Sequence, residues 1–498
     1  MGGLSKSRLM SYRQCPRRLW LETYQPDSIT TSPDTEARLR TGLEVGEVAR
    51  GIYDPAREGI LIDRNSDGFR GAAEKTANAI RSRQTIFEAA FNSAGTTVFV
   101  DILLPVKQRT GQWKLVEVKS STSARDYHSD DIAIQGYIAR EAGIQLNQVS
   151  LSCIDSSRVY PGKGNYRGLL QEIDMTEVLQ RDTEVREWIS NALGVLANDT
   201  EPDIATGTHC FDPFECGFYE YCSQNDPVVE HPVHWLPAIR SNKLKTYLDE
   251  NDVLDMADIP DHLLNERQLR VKQATLSNKV YFDQSGAQQA LSGYTFPAYF
   301  LDFETITFAV PAWAGTRPYQ QLPFQFSLHK LGRSGAITHH SFLDLSGKDP
   351  YRGFATHLIQ NCGKRGPVYV YNAGFESRII RELAERLPGQ ASDLLAINDR
   401  LVDLYPVARN YYYHPTQYGS WSIKYVLPAI APDLNYGDLE GVQHGGMAME
   451  AYLEAIHPGV SPVRKSELEQ QLLEYCKLDT WAMVRLWEFF TGKNIIKL

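Results

Sequence analysis

A chain of 498 residues, 42% hydrophobic and 22% charged, is too long for one ordinary domain and has the composition of a soluble globular protein. No apolar run is long enough to cross a bilayer, and the basic start "MGGLSKSRLMSYRQC" lacks the apolar stretch of a secretory signal, so the expected setting is the cytoplasm, with no membrane partner. A net charge of −10 excludes a protein that coats nucleic acid with its whole surface but leaves room for a local basic groove.

Residues 1–225 alternate helical and strand patterns and are predicted to form an α/β domain. A basic helical start carries Lys6, Arg8, Arg13, Arg17 and Arg18, and a helix follows around "TEARLRTGLEVGEVARGI". The stretches "TTVFVDILLPV" and "WKLVEVKSS" read as hairpin strands, with Lys107, Arg109 and Lys114 between and within them. Either basic cluster is a solvated face or a set of phosphate contacts. Next come a helix at "DDIAIQGYIAREAGI", a strand at "QVSLSCID" and a cysteine-rich segment, "HCFDPFECGFYEYC". Residues 226–292 lack strong strands and read as a helical connector. From 293 to 498 a second α/β domain is predicted, with strands "AYFLDFETI", "PFQFSLHKL", "ITHHSFLDL" and "GPVYVYNA", a helix "FESRIIRELAERL" and a long final helix.

Seven cysteines in a cytoplasmic chain do not suggest a disulfide framework. Cys210, Cys216 and Cys222 recur at even spacing and Cys15 stands alone in "SYRQCPRRLW", a set suited to metal, whereas Cys153, Cys362 and Cys476 sit in apolar contexts as small core residues.

In "LVEVKSS", Glu117 and Lys119 emerge on one strand face, where Asp101 of the preceding strand can meet them. Two carboxylates that hold a divalent cation, beside a lysine that stabilises negative charge, are what metal-assisted phosphodiester cleavage needs. An isolated E-x-K is also common on solvated strands. Together, however, "IFEAAF" with Glu88, "VDILL" with Asp101, "EVK" with Glu117 and Lys119, and "IQGYIA" with Gln135 resemble the RecB-like branch of the PD-(D/E)XK nucleases. Many relatives carry a metal-binding histidine in the early helix; here the position reads Gly46, with Glu47 beside it as a stand-in or the ligand missing. The resemblance also implies that Cys15, Cys210, Cys216 and Cys222 hold a [4Fe-4S] cluster that closes the domain on itself, as in a CRISPR-associated branch, with zinc as the alternative.

Asp302 and Glu304 of "YFLDFETI" share one face of an apolar strand, where like charges repel unless cations sit between them. A two-metal centre needs further acids. "YNAGFESRII" supplies Glu376 at a helix start, and "EYCKLDTW" supplies Tyr475 and Asp479, four apart on one helical face. Their order over about 296–490 resembles the DnaQ-like exonucleases of the ribonuclease-H fold, in the variant with a tyrosine before the last aspartate. That resemblance implies Mg²⁺ or Mn²⁺ held by Asp302, Glu304, Glu376 and Asp479, water orientation by Tyr475, and 3′ to 5′ polarity. Where relatives have Phe-Asp this chain has Phe375-Glu376. Asp403 in "LVDLYP" is either a further ligand or a turn cap. The aromatics of "ARNYYYHPTQYGSW" either stack on bases or pack in the core, and Arg409 and Lys424 are candidate phosphate contacts.

No Walker A pattern is present, so any unwinding is left to a partner helicase or to fraying ends. The whole chain resembles bacterial RecB-family nucleases joined to a ribonuclease-H-like domain. Its implied function is metal-dependent cleavage of nucleic acid, DNA before RNA and single-stranded ends above all, in processing, repair or defence. The contrasting expectation is an end-binding scaffold with one or both centres inactive.

Overall fold

Apolar residues at period two place seven segments in one mixed sheet and five in another, so the chain is α/β; the structure, a computed structural model, describes residues 3–30, 33–106, 111–293 and 295–493. Lys107 and Arg109 lie outside the described residues. The chain divides into two units: Met1–Pro227 with Phe308–Gln320, and Val228–Thr307 with Gln321–Leu498.

In the first unit the strands are β1 (Leu4–Ser5), β2 (Ile60–Leu61), β3 (Ile86–Ser93), β4 (Thr96–Pro105), β5 (Gln112–Lys119), β6 (Gln145–Ile154) and β7 (Leu170–Asp174). They lie in the order β2-β3-β4-β5-β6-β7, with β1 on β4. β3, β4 and β5 run antiparallel in succession, whereas β5 and β6 are parallel and joined by the Asp126–Glu141 helix. A parallel pair needs such a crossover. The helix buries Ile132, Ile134 and Ile138 in the same core as Val98, Val100, Leu115 and Leu151.

In the second unit β8 (Tyr281–Phe282) pairs with β14 (Tyr412–Tyr413). The main sheet is β9 (Ala298–Ile306), β10 (Leu322–Leu331), β11 (Ile337–Leu343), β12 (Val368–Val370) and β13 (Leu401–Asp403), in the order β11-β10-β9-β12-β13. β9 is therefore central, with antiparallel neighbours on one side and parallel ones on the other.

The division differs from the expected boundaries in two ways. Of residues 226–292, expected as a connector, all from Val228 are packed into the second unit: Leu244, Met256, Val271 and Leu291 share a core with Phe300, Tyr413 and Trp487. Burial of these apolar faces holds short helices that would be marginal alone. Phe308–Gln320, expected in the second domain, belongs to the first unit, where Ala309 and Val310 pack with Val45, Ile154 and Leu169.

Candidate functional site

Each unit gathers acids at one place in its sheet. In the first unit β3 and β4 both break their alternation there: Ile86 and Ala89 face one core although three residues apart, and so do Val100 and Leu103. Glu88, within that break, has a left-handed φ of 57°, a costly backbone state for a side chain of this kind. By the antiparallel register it stands opposite Asp101. The Asp101 carboxylate accepts the Val118 amide of β5 at 2.8 Å, which fixes it beside Glu117 and Lys119.

Glu117 is buried at 1% exposure, and both its oxygens are occupied. Oε1 takes Lys119 Nζ at 2.5 Å and Lys6 Nζ at 3.2 Å, and Oε2 takes Gln135 Nε2 at 2.8 Å. Asp131 completes the set, receiving Lys119 at 2.7 Å, Lys6 at 3.0 Å and Gln135 at 2.8 Å. Burial by itself would raise the Asp131 pKa, but Lys119 and Lys6 hold it far below the usual carboxylate range. Asp101 goes the other way, raised well above its ordinary value by burial and by Glu117. Glu88 is raised for the same two reasons. The two lysines thus answer Glu117 and Asp131, while at Asp101 and Glu88 burial and the Glu117 charge outweigh the lysines and favour the protonated form.

Asp131 and Lys6 were not among the expected site residues. Asp131 carried a signal, because it lies one helical turn before Gln135 on the same face. Lys6 was only one of a basic cluster. Its neighbours prove to be structural: Arg13 pairs with Asp130, Arg17 with Glu201 and Arg18 with Glu22. Glu47 is exposed.

Cys15, Cys210, Cys216 and Cys222 line one small cavity, together with Arg17, Arg18 and His209. The chain is held there by Gln14, whose amide donates to the His209 and Phe214 carbonyls at 2.8 and 2.7 Å. Burial raises the Cys222 thiol to about 11, with Cys216, Cys15 and Cys210 adding to the shift against Arg17. Buried thiols brought together in this way fit a site whose ligation by a cation would release their protons.

In the second unit Asp302 and Glu304 of β9 lie opposite Ser327 and Gln325 of β10. The Pro462–Thr491 helix crosses that face, pinned by Gln325 Nε2 on the Leu472 carbonyl at 2.7 Å and by Thr480 Oγ1 against Ser327 at 2.7 Å. This docking carries Tyr475, Cys476 and Asp479 to the acids. Asp302, Glu304 and Cys476 present ligand atoms within 4.8 Å of one another. Cys476, expected only as a small core residue, is indeed fully buried, and its sulphur also lies 3.8 Å from Asp302 Oδ2.

Asp302 is pushed well above the carboxylate range by burial, then by Asp479, Glu304 and Glu376. Glu304 is raised by burial and Asp479. Burial also lifts Asp479 to about 6, against the Tyr436 hydroxyl, which donates to its Oδ1 at 2.6 Å. Glu376 sits in the first turn of the Ala373–Arg386 helix, 2% exposed, raised to about 8 by burial, with Oε2 lacking any hydrogen-bond partner. Such an orphaned buried oxygen is costly unless something absent from the chain takes it up. Lys424 is an ammonium close to these groups, 5.3 Å from the Tyr436 and Tyr475 rings, and it acts on Asp479 and Glu304. An oxygen-rich donor set with surplus charge and an unused buried oxygen suits a divalent cation.

Asp403 is a cap: it accepts the Asn372 and Ala373 amides, both at 3.0 Å, and the Tyr405 amide at 2.9 Å. It thereby clamps the start of the helix bearing Glu376. Of the aromatic segment, Tyr412, Tyr413 and Trp421 are core, while Tyr418 is exposed against Trp235. Tyr436, in "LNYGDLEG", carried no sequence signal.

Residues 299–422 match the family model described as "Domain of unknown function (DUF2779)", a span that holds Asp302, Glu304 and Glu376 but not Tyr436, Tyr475 or Asp479. No curated protein matches the chain.

Proposed function

We propose that the protein is a metal-dependent nuclease with two centres, a RecB-like PD-(D/E)XK centre in the first unit and a DnaQ-like, ribonuclease-H-type centre in the second. The observation that carries this reading is the approach of Asp302 and Glu304 within 4.8 Å of one another, with Asp479 and Glu376, from two elements far away in sequence, close enough to act on the Asp302 carboxylate. Mg²⁺ or Mn²⁺ bound there would activate a water and stabilise the charge of the displaced oxygen. The chain's own part is to position: the Pro462–Thr491 helix carries Asp479, Tyr436 holds that carboxylate, and Tyr475, hydrogen-bonded to Asp479, would orient a water.

In the first unit Asp101, Glu117 and Glu88 would hold the cation, and Lys119 would face the phosphate. Gln135 and Asp131 keep Glu117 and Lys119 in place. For the cysteine cavity a [4Fe-4S] cluster is the favoured occupant, in a structural role. A single zinc ion is the alternative, and it needs sulphurs about 4 Å apart. Among the described residues no three of these sulphurs meet within 4.8 Å, which favours the larger group.

The substrate of this reading is DNA with single-stranded ends, in a cytoplasmic role in processing, repair or defence. Incubation of end-labelled single- and double-stranded DNA and RNA with Mg²⁺ or Mn²⁺ tests it. Cleavage lost in Asp302→Ala or in Lys119→Ala assigns activity to that unit. Absence of metal-dependent cleavage by the wild type favours an end-binding scaffold.

A further inference from the structure

A second charge concentration, of opposite sign, lies in the second unit away from the acids. Arg267 and Arg270 line an open cavity with Asn265, Glu266 and Asn410. Arg270 is fixed: it donates to the Asn410 carbonyl at 2.7 Å and the Arg409 carbonyl at 3.3 Å, and its guanidinium lies 4.1 Å over the Tyr281 ring. Arg409 lies 5.2 Å over the Tyr405 ring, and its Nε is buried with no hydrogen-bond partner. Burial, then Arg409 and Arg270, make the charged form of Arg267 costlier than usual. Among the described residues no carboxylate forms an ion pair with any of the three; Asp283 feels the Arg270 charge from further off, and Glu266, beside Arg267, is exposed.

Three guanidinium groups held close repel each other; the Asp283 carboxylate acts on Arg270, but among the described residues no ion pair answers Arg267 or Arg409. The amides at the start of the Glu266–Ser277 helix do not provide the site, because Asn265 already caps Arg267 and Gln268 at 3.1 and 3.0 Å. What remains is a set of planar donor forks, stiffened by ring stacking and carbonyl bonds, whose natural complement is a phosphate group. The Tyr405–Tyr411 helix that carries Arg409 begins two residues after Asp403, the clamp on the Glu376 helix, so cradle and acid centre hang on one continuous piece of backbone.

We propose that Arg267, Arg270 and Arg409 form a cradle for a backbone phosphate of a single-stranded nucleic acid. The identity of the ligand as nucleic acid rests on the nuclease reading of this unit; the binding of an anion does not. The test is fluorescence anisotropy of a labelled single-stranded oligonucleotide with the full chain in EDTA, across a salt series, for wild type, Arg267→Gln, Arg409→Gln and Arg267→Lys. Arg270 is left intact because its carbonyl bonds hold two elements together. Each glutamine variant is expected to weaken binding about tenfold at low salt and to reduce the slope of log K against log salt by about 0.7, the value of one lost contact to a single strand. Arg267→Lys is expected to keep the slope and lose part of the affinity. Unchanged affinity and slope in both glutamine variants, or no binding by the wild type, overturns the proposal. Because EDTA removes cleavage from the measurement, a wild type that binds through these arginines yet never cleaves would leave the cradle standing and sink the catalytic reading alone.

Discussion

The Tyr436 hydroxyl donates to Asp479 Oδ1 at 2.6 Å, from a short 3-10 helix that no pattern in the sequence connects with the final helix. The bond favours the ionised carboxylate, against the burial that lifts its pKa to about 6. Tyr436→Phe is therefore expected to raise that pKa further. The acid limb of the cleavage profile should move to higher pH, with maximal rate lowered about tenfold, as pH–rate measurements on the variant will show. An unchanged limb would remove Tyr436 from the site.

The buried acids of the second unit set a pH dependence of unusual sign. Asp302, Glu304, Glu376 and Asp479 all have folded-state pKa values above their unfolded ones, Glu376 at about 8 and Asp479 at about 6. Between the unfolded carboxylate range and pH 8 the native chain binds more protons than the unfolded chain, so stability falls as pH rises. In EDTA the melting temperature should drop by several degrees from pH 5 to pH 8. Saturating Mn²⁺ should flatten that slope, since a bound cation replaces the protons.

Glu376→Gln separates structure from metal binding. With its pKa near 8, Glu376 is mostly protonated at neutral pH when no cation is present, and glutamine imitates that form. Stability in EDTA should stay within about 1 kcal/mol of wild type by denaturant titration, while the stabilisation given by Mn²⁺ is reduced. A large loss of stability in EDTA would show instead that the carboxylate itself holds the fold.

Lys6 is expected to matter more than the other cations of its cluster. Its Nζ bridges Glu117 and Asp131, so Lys6→Ala leaves two buried carboxylates to Lys119 alone. A destabilisation of about 1–3 kcal/mol is expected, with loss of cleavage by the first unit, against a change under about 1 kcal/mol for Arg13→Ala, whose pair is surface-exposed. Denaturant titration compares the two.

The cysteine cavity gives a spectroscopic prediction. Protein purified without oxygen should carry a broad visible absorption that fades on reduction, and Cys216→Ser should lose it together with stability of the first unit alone. A colourless wild type containing zinc would replace the cluster by a single ion.

Much of this was legible in the sequence where periodicity is strong. The β9 alternation placed Asp302 and Glu304 on one face, and the strand at Gln112–Lys119 placed Glu117 beside Lys119. Asp131 escaped because helical spacing tells which residues share a face but not which face meets the sheet. Lys6 escaped because its anchor, Leu4–Ser5, is a two-residue strand too short to leave a pattern. Residues 228–292 contain short helices and the Tyr281–Phe282 strand, and amphipathicity does not reveal what an apolar face docks on, here the core around Trp487.

Mn²⁺ binding followed by electron paramagnetic resonance in the absence of substrate is the most direct test of the two metal centres. The wild type is predicted to take up Mn²⁺ at both centres, Asp302→Asn to lose the uptake of the second unit, and Asp101→Asn that of the first. Equal uptake by the wild type and by a protein carrying both substitutions would contradict that prediction.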